Sequence, residues 1–457
     1  MTSKVLTVVG GGLAGTEAAW QAANRGVKVQ LYEMRPESST GAHTGGFLAE
    51  LVCSNSLGSK LGDRASGVLK DEMRKLGSLL IACADANAVP AGNALAVDRE
   101  AFAKMVTDRI ENHSNIEVVR SEKRTIPSGA TIIASGPLSS ASICDSLSSL
   151  LGTDHLYFYD AISPIVYADT IDMTVAFEAS RYQKNGDTNG DYINCPMNNA
   201  EYDRFVKALL EADRIPLRDF EKDIESGVRA GAHRFFEGCL PIEILAERGH
   251  DALAYGPMRP VGIYSPYDDK RPYAVVQLRR DNLAGTLYNI VGFQTNLKWP
   301  EQKEVLRMIP GLGQARFARY GMMHRNTFLN APTVLTESLQ SVVRPNLFFA
   351  GQITGVEGYA GNIATGLLAG INVTRLMNDE GLLVLPRTSM MGALCHYVAN
   401  ADADTFQPMK ANFGLFPALE PPRDKRKWSK RERYRLYSER ALNAIENLKV
   451  RMKLDPL

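Results

Sequence analysis

Residues 4–26 read KVLTVVGGGLAGTEAAWQAANRG. Lys4 to Val9 is a β-branched apolar run of the kind that forms a buried parallel strand. Gly10, Gly12 and Gly15 follow it as G-x-G-x-x-G, before an alanine-rich helical segment that stops at Gly26. In this order each glycine has a separate physical role. Gly10 makes a tight turn, Gly12 allows close backbone approach to a pyrophosphate, and Gly15 lets the helix pack on the strand. Gly10, Gly11, Gly12, Leu13, Ala14 and Gly15 are therefore the candidate phosphate-binding backbone, at a helix N-terminus whose dipole favours anions. A second strand, Val27 to Tyr32, runs into Glu33, at the spacing where a carboxylate meets a ribose diol. An acid here suits FAD or NAD rather than a 2′-phosphorylated cofactor.

With 457 residues, of which 45% are apolar and 23% charged, the chain exceeds one ordinary domain. A net charge of +1 excludes global attraction to polyanions, so any nucleic acid must be met by local basic patches. The stretch before the first strand carries no signal-peptide pattern, and no apolar run approaches the ~20 residues of a membrane span. A cytoplasmic protein without membrane contact is the expectation. The cysteines at 53, 83, 144, 195, 239 and 395 are scattered without a C-x-x-C pair, which argues against a metal site and against a disulfide scaffold.

Downstream of Glu33, a polar loop leads to Glu50-Leu51-Val52-Cys53-Ser54-Asn55-Ser56-Leu57, which reads as a cysteine at a helix start. Residues Ser66 to Ala84 read as helical, as do Glu100 to Asn112. Ile116 to Arg120 and Ala130 to Ala134 read as strands, the latter closing on Ser135-Gly136-Pro137. From Asp160 the pattern changes to short aromatic-rich strands: Pro164 to Tyr167, Thr174 to Phe177, Ser180 to Tyr182 and Asn194 to Met197. Cys239 stands on a glycine-proline loop, FFEGCLP. Read alone, Cys53 and Cys239 each suit a packed thiol as well as a nucleophile. Asn346 to Gln352 is another buried strand ending in Ala-Gly, which brings Gly351 and Gln352 to the cofactor, and Gly358 to Met377 is an apolar helix. The nucleotide site thus draws on both ends of the chain, with 1–160 and 336–457 as its two parts and 161–335 as an insertion for substrate or RNA. The resulting fold class is α/β, a Rossmann-type, glutathione-reductase-like FAD-binding domain with an inserted α+β domain. Arg423 to Arg440 carries nine Lys/Arg against three Asp/Glu, interleaved with Trp428, Tyr434 and Tyr437. That mixture suits RNA phosphates and bases through Arg426, Lys427, Lys430 and Arg431, or else a solvated amphipathic helix.

Ten segments together resemble one family, the folate- and FAD-dependent tRNA uridine-5-methyltransferases known as TrmFO. They are VVGGGLAGTEAAWQAANRGVKVQLYEMRP, AELVCSNSL, NCPMN, FFEGCLPIE, YGPMRPVG, YAVVQLRRDN, LYNIVGFQTNLKWPEQK, YGMMHRN, NLFFAGQITGVEGY and FQPMKANFG. The resemblance implies bound FAD, 5,10-methylenetetrahydrofolate as carbon donor, NADPH or NADH as electron source, and methylation of C5 of a T-loop uridine in tRNA. It further implies that Cys239 attacks uracil C6, that Cys53 removes the C5 proton, and that His324 and Tyr359 hold the folate ring against the flavin. The chain departs from the family after Glu357-Gly358-Tyr359, where Gly361 and Asn362 replace an expected carboxylate and hydroxyl. Two other readings accommodate that departure: a flavoenzyme acting on a ribosomal or wobble uridine, and a flavin- and RNA-binding homologue without activity.

Overall fold

The computed structural model describes residues 5–38, 40, 42–152, 156–181, 190–215, 240–267, 271–420 and 428–452; the side chains of 156–161 and 323–325 lie outside that description. Val5–Val9 forms the centre of a five-stranded parallel sheet. The sheet order is Leu347–Phe349, Thr131–Ile133, Val5–Val9, Lys28–Tyr32 and Ile116–Val119. Every neighbour is parallel, with Val5 opposite Lys28 and Thr7 opposite Thr131. Both faces of a parallel sheet must be covered, so its strands are apolar runs with Leu6, Val8, Leu31, Ile132 and Phe348 fully buried. The outermost strand on one side is Leu347–Phe349, which returns the C-terminal quarter of the chain to the first strand's sheet.

Two helices close one face of this sheet by crossing at unusually short range. Helix Leu13–Ala23 packs on helix Tyr359–Met377, and the contact is backbone to backbone. A Cβ on Gly366 would lie 2.2 Å from the Ala14 carbonyl oxygen, and one on Gly370 would lie 2.5 Å from that of Ala18. Only glycine permits this approach, and it draws the starts of both helices toward the same edge of the sheet.

A second core is built on a six-stranded sheet, ordered Phe177–Ala179, Tyr192–Met197, Ala274–Arg280, Leu287–Ile290, Ile165–Tyr167 and Phe317–Arg319. Its pairings are antiparallel, and helix Asn199–Glu211 begins with a capping box between Asn198 and Glu201. An antiparallel ribbon of Leu156–Ala161 and Met323–Phe328 joins this unit to the parallel sheet.

Four expectations from the sequence are corrected. Ser66 to Ala84 is two helices, Ala65–Lys75 and Leu79–Ala86. Gly77 turns through φ +76° between them, and the Ser78 hydroxyl caps the second by accepting from the Ile81 N–H at 3.3 Å. Thr174 begins no strand, because the Asp172 carboxylate accepts from its N–H at 2.9 Å and makes a turn. The strand is Phe177–Ala179, so it ends before Ser180, and Tyr182 lies outside the described residues. Finally, Cys53 starts no helix: it sits on a bend before the short strand Ser56–Ser59.

The second sheet is docked onto the nucleotide fold by buried polar contacts. Arg99, first residue of helix Arg99–Glu111, donates from Nε to both oxygens of Asp281 at 2.9 and 3.0 Å. Burial opposes the charge of Arg99, but the Asp281 carboxylate beside it holds the guanidinium protonated. Next to this pair, Arg279 donates to Asn55 Oδ1 at 2.8 Å, and Asn55 donates to the carbonyls of Val97 and Arg280.

Two outcomes follow from these contacts. Gly366→Ala should destabilise the protein by about 1–3 kcal/mol through overpacking, whereas Gly381→Ala, whose Cβ meets nothing within 4 Å, should stay within ~0.5 kcal/mol of wild type in urea unfolding. Asp281→Ala leaves Arg99 buried without its counter-charge and should cost about 3–5 kcal/mol in the same assay; a loss below ~1 kcal/mol would show the pair to be dispensable.

Candidate functional site

A cavity of about 140 Å³ opens where the starts of the two crossing helices meet the sheet. Its floor is the glycine turn. Gly10 adopts φ +108°, and a Cβ there would lie 2.4 Å from the Ala134 carbonyl oxygen. A Cβ on Gly15 would fall 1.8 Å from the Gly10 carbonyl oxygen, so the helix lies directly on the strand. Gly12, by contrast, faces open space, with no atom within 4 Å of its would-be Cβ. No side chain caps the helix at Gly12, which leaves the first-turn N–H groups available to a phosphate. The three glycines thus have the separate surroundings that a dinucleotide turn needs.

Glu33 is placed as the spacing requires, but it already has protein partners. Its Oε2 accepts from the Gly11 N–H at 3.0 Å, and its Oε1 accepts from the Arg35 N–H at 3.0 Å and Arg35 Nε at 2.8 Å. Burial alone would raise its pKa, yet the Arg35 guanidinium outweighs this and holds it below the usual carboxylate range. Arg35 continues to Glu50 at 2.8 Å, and Glu50 accepts from the N–H groups of Thr44 and Gly45. This chain of charges holds residues 42–50 beside the cavity with His43 half-buried, and desolvation and the Arg35 charge push the His43 pKa down to about 4. Arg35 and Glu50 escaped the sequence reading, although Arg35 stands two residues from Glu33.

On the far wall, Gly351 donates its N–H to Thr365 Oγ1 at 2.8 Å, and Gln352 Nε2 donates to Glu357 Oε2 at 2.7 Å. Asn362 lines the same wall with a buried Oδ1 that has no hydrogen-bond partner among the described residues. The open glycine backbone and the ribose-side acid fit a flavin dinucleotide.

A second cavity of about 210 Å³ shares Val52, Pro137, Leu138, Gln352 and Tyr359 with the first, so the two are adjacent. Cys53, Glu357 and Lys410 line its inner part. The Cys53 segment has no helix dipole behind it. Instead, the Tyr359 hydroxyl accepts from the N–H of Cys53 at 2.7 Å and of Ser54 at 3.2 Å. Arg99 holds the other side by donating to the carbonyls of Leu51 at 2.7 Å and Cys53 at 3.4 Å. Burial, and then the neighbouring Cys53, push the Tyr359 phenol above its ordinary pKa, so it remains a neutral clamp. The tyrosine expected beside folate is therefore also the residue that seats Cys53. Arg99, Arg279 and Lys410 were missed; Arg279 and Lys410 stand inside two of the segments that carry the family likeness.

Other candidate residues are placed differently. Cys239, Arg426 and Lys427 lie outside the described residues. His324 pairs through its strand with Asp160, and its side chain is not described. Lys430 and Arg431 are exposed at the start of helix Lys430–Met452, beside Asp63, Arg64 and Tyr434. Tyr434 and Tyr437 are half-buried, with their rings 4.8 and 5.6 Å from that of Phe413. The apolar face of this helix needs that anchor: Ala441, Ile445 and Leu448 are buried in the main core.

Comparison with known proteins agrees with these features. Residues 5–381 match the family described as glucose inhibited division protein A. The methylenetetrahydrofolate–tRNA-(uracil-5-)-methyltransferase TrmFO of Exiguobacterium sp. is 52% identical over 449 residues, 98% of this chain and 100% of that one. The protein of the same name from Pelotomaculum thermopropionicum is 52% identical over 450 residues, covering 98% and 99% of the two chains. Two crystal forms of Aquifex aeolicus GidA share the fold, with TM-scores of 0.68 and 0.67 at 18% and 16% identity; they cover 98% of this chain and 76% and 73% of theirs. With relatives this similar along almost its whole length, and a glycine turn and seated cysteine in the segments that carry the likeness, the chain belongs to the TrmFO family.

Proposed function

We propose that this protein methylates C5 of a T-loop uridine in tRNA, taking the carbon from 5,10-methylenetetrahydrofolate and electrons from NADPH or NADH, in the cytoplasm. The observation that carries this reading is the position of Cys53, clamped by Tyr359 and Arg99 at the junction of the nucleotide cavity with the inner one. When bound, FAD supplies the hydride that converts a methylene on uracil C5 into a methyl group.

The protein's own groups do the rest. Uracil C5 is a poor nucleophile until a thiolate adds at C6, and Cys239 is assigned that addition. After C5 has taken up the one-carbon unit, its proton must leave before the C6–sulfur bond can break; Cys53 is assigned as the base. A base on a loop held at both carbonyl and N–H edges keeps its distance to the substrate, which is what proton transfer requires. Gly10 to Gly15, Glu33, Gly351 and Gln352 bind the cofactor, while the ring of Tyr359, shared by both cavities, and His324 flank the folate. The unit formed by 161–335 presents the uridine, whose unstacking costs a few kcal/mol. Contacts of Arg426, Lys427, Lys430 and Arg431 with tRNA phosphates offset that cost.

A T-arm RNA carrying 5-fluorouridine should form a denaturation-resistant adduct, since fluorine cannot leave C5 as a proton does. Cys239→Ala should form none, and Cys53→Ala should lower methylation of the ordinary RNA by at least ~100-fold; an adduct retained in Cys239→Ala would reassign the nucleophile. Replacing Lys430 and Arg431 together by Ala should flatten the slope of log K for tRNA against log salt by about 2, measured by filter binding, with flavin content unchanged.

A further inference from the structure

Three aromatic rings at the edge of the antiparallel sheet form a ladder. Trp299, first residue of helix Trp299–Leu306, lies 6.0 Å from Tyr320 with 16° between the ring planes, and Tyr320 lies 5.1 Å from Phe317 with 22° between them. Phe317, on the edge strand Phe317–Arg319, packs against the second core and closes the ladder at that end. Trp299 is 53% exposed, so the other end is open. A purely structural plug would bury its largest ring; here the largest ring is the outermost, and the half-buried Tyr320 holds it in plane.

The ladder adjoins the inner cavity through the residues on either side of Tyr320. After it, a Cβ on Gly321 would lie 2.8 Å from the Ile162 carbonyl oxygen, and the Met322 carbonyl accepts from the Ile162 N–H at 2.8 Å. Before it, Arg319 donates from Nη2 to the Ala42 carbonyl at 2.8 Å. Ile162 and Ala42 both line the inner cavity beside Cys53. Burial lowers the pKa of Arg319, and Arg99, Tyr359, Glu50 and Cys53 also act on it, which places its guanidinium toward the site. Among the described residues Arg319 forms no ion pair with a carboxylate. A cavity, an uncompensated cation and an open aromatic stack, in that order, match three consecutive parts of an RNA strand: an unstacked base, the phosphate joining it to its neighbour, and the neighbour's base. We propose that Trp299 stacks a nucleobase flanking the target uridine, while Arg319 contacts the phosphate between the two nucleotides. This rests on RNA being the substrate, as in the function proposed above. Moving a uridine out of its stack strips a neighbouring base of one stacking face, and the ladder replaces it. Because every base has a π-face, such a platform selects an open loop over a paired helix without reading sequence.

The test measures Kd of the full-length holoenzyme for a T-arm RNA hairpin, intact or with the base removed from the nucleotide on one side or the other of the target uridine. Wild type should lose at least ~5-fold in affinity when one of these two bases is missing. Trp299→Ala should bind the intact RNA at least ~5-fold more weakly than wild type, and removal of that same base should cost it nothing further. Trp299→Phe, which keeps an aromatic face, should stay within ~3-fold of wild type and controls for misfolding of the alanine variant. Arg319→Gln, which keeps a donor for the Ala42 carbonyl, should flatten the slope of log K against log salt by about 1. Equal affinity of Trp299→Ala and wild type for intact RNA overturns the assignment, as does an equal penalty for the missing base in both proteins. An unchanged salt slope in Arg319→Gln overturns the phosphate contact. Failure of wild type to bind or methylate the intact T-arm RNA sinks the functional reading itself, a result distinct from wild-type binding that Trp299→Ala leaves untouched.

Discussion

Helices Leu13–Ala23 and Tyr359–Met377 cross at a distance set by main-chain atoms, because Gly366 and Gly370 leave no side chain between them and the Ala14 and Ala18 carbonyls. That approach joins the two ends of a long chain. It also brings two helix starts, at Leu13 and Tyr359, neither with a side-chain cap, to one cavity. Unsatisfied N–H groups and the positive ends of both helix dipoles then face the same space. A pyrophosphate and a reduced, anionic flavin are the kinds of charge such a space stabilises. A bulkier contact between the helices would spread their starts apart and lose that convergence.

The reactive end of the site is held by a different kind of constraint. The Cys53 segment is bent and irregular, and an irregular backbone must find its hydrogen bonds elsewhere. It finds them in Tyr359 on the second of the crossing helices and in Arg99 on helix Arg99–Glu111, while Arg279 of the antiparallel sheet ties down the following Ser54 and Asn55. The thiol therefore has a position only when all three regions are in place. This arrangement couples the second sheet, through Asp281 and Arg279, to the geometry beside the cofactor.

Much of the nucleotide site was legible without the structure. A β-branched run, a glycine turn, an alanine-rich helix and an acid at the next strand end are local patterns, and each is decided by burial and backbone sterics over a few residues. The strand at Leu347–Phe349 and the helix at Tyr359–Met377 were legible for the same reason. The surroundings of Cys53 were not, since its N–H meets a hydroxyl 306 residues away in sequence. Small polar residues such as Ser54 and Asn55 resemble a helix cap when read alone, and only their distant partners show that they brace a bend. Tyr434 and Tyr437 carry a contact the local pattern does not show: their rings pack on Phe413 and help anchor the helix.

The amino-acid pattern by itself determined the parallel nucleotide fold, the class of cofactor and the two cysteine segments that mark the family, because these depend on short-range periodicity and on residue types at fixed spacing. The tertiary structure decided which groups seat Cys53, that Glu33 is shared with Arg35 and Gly11, and that the amide of Asn362 is buried in the cofactor wall. Those are partnerships between atoms far apart along the chain, and burial leaves each polar atom there only the partners that folding brings within reach.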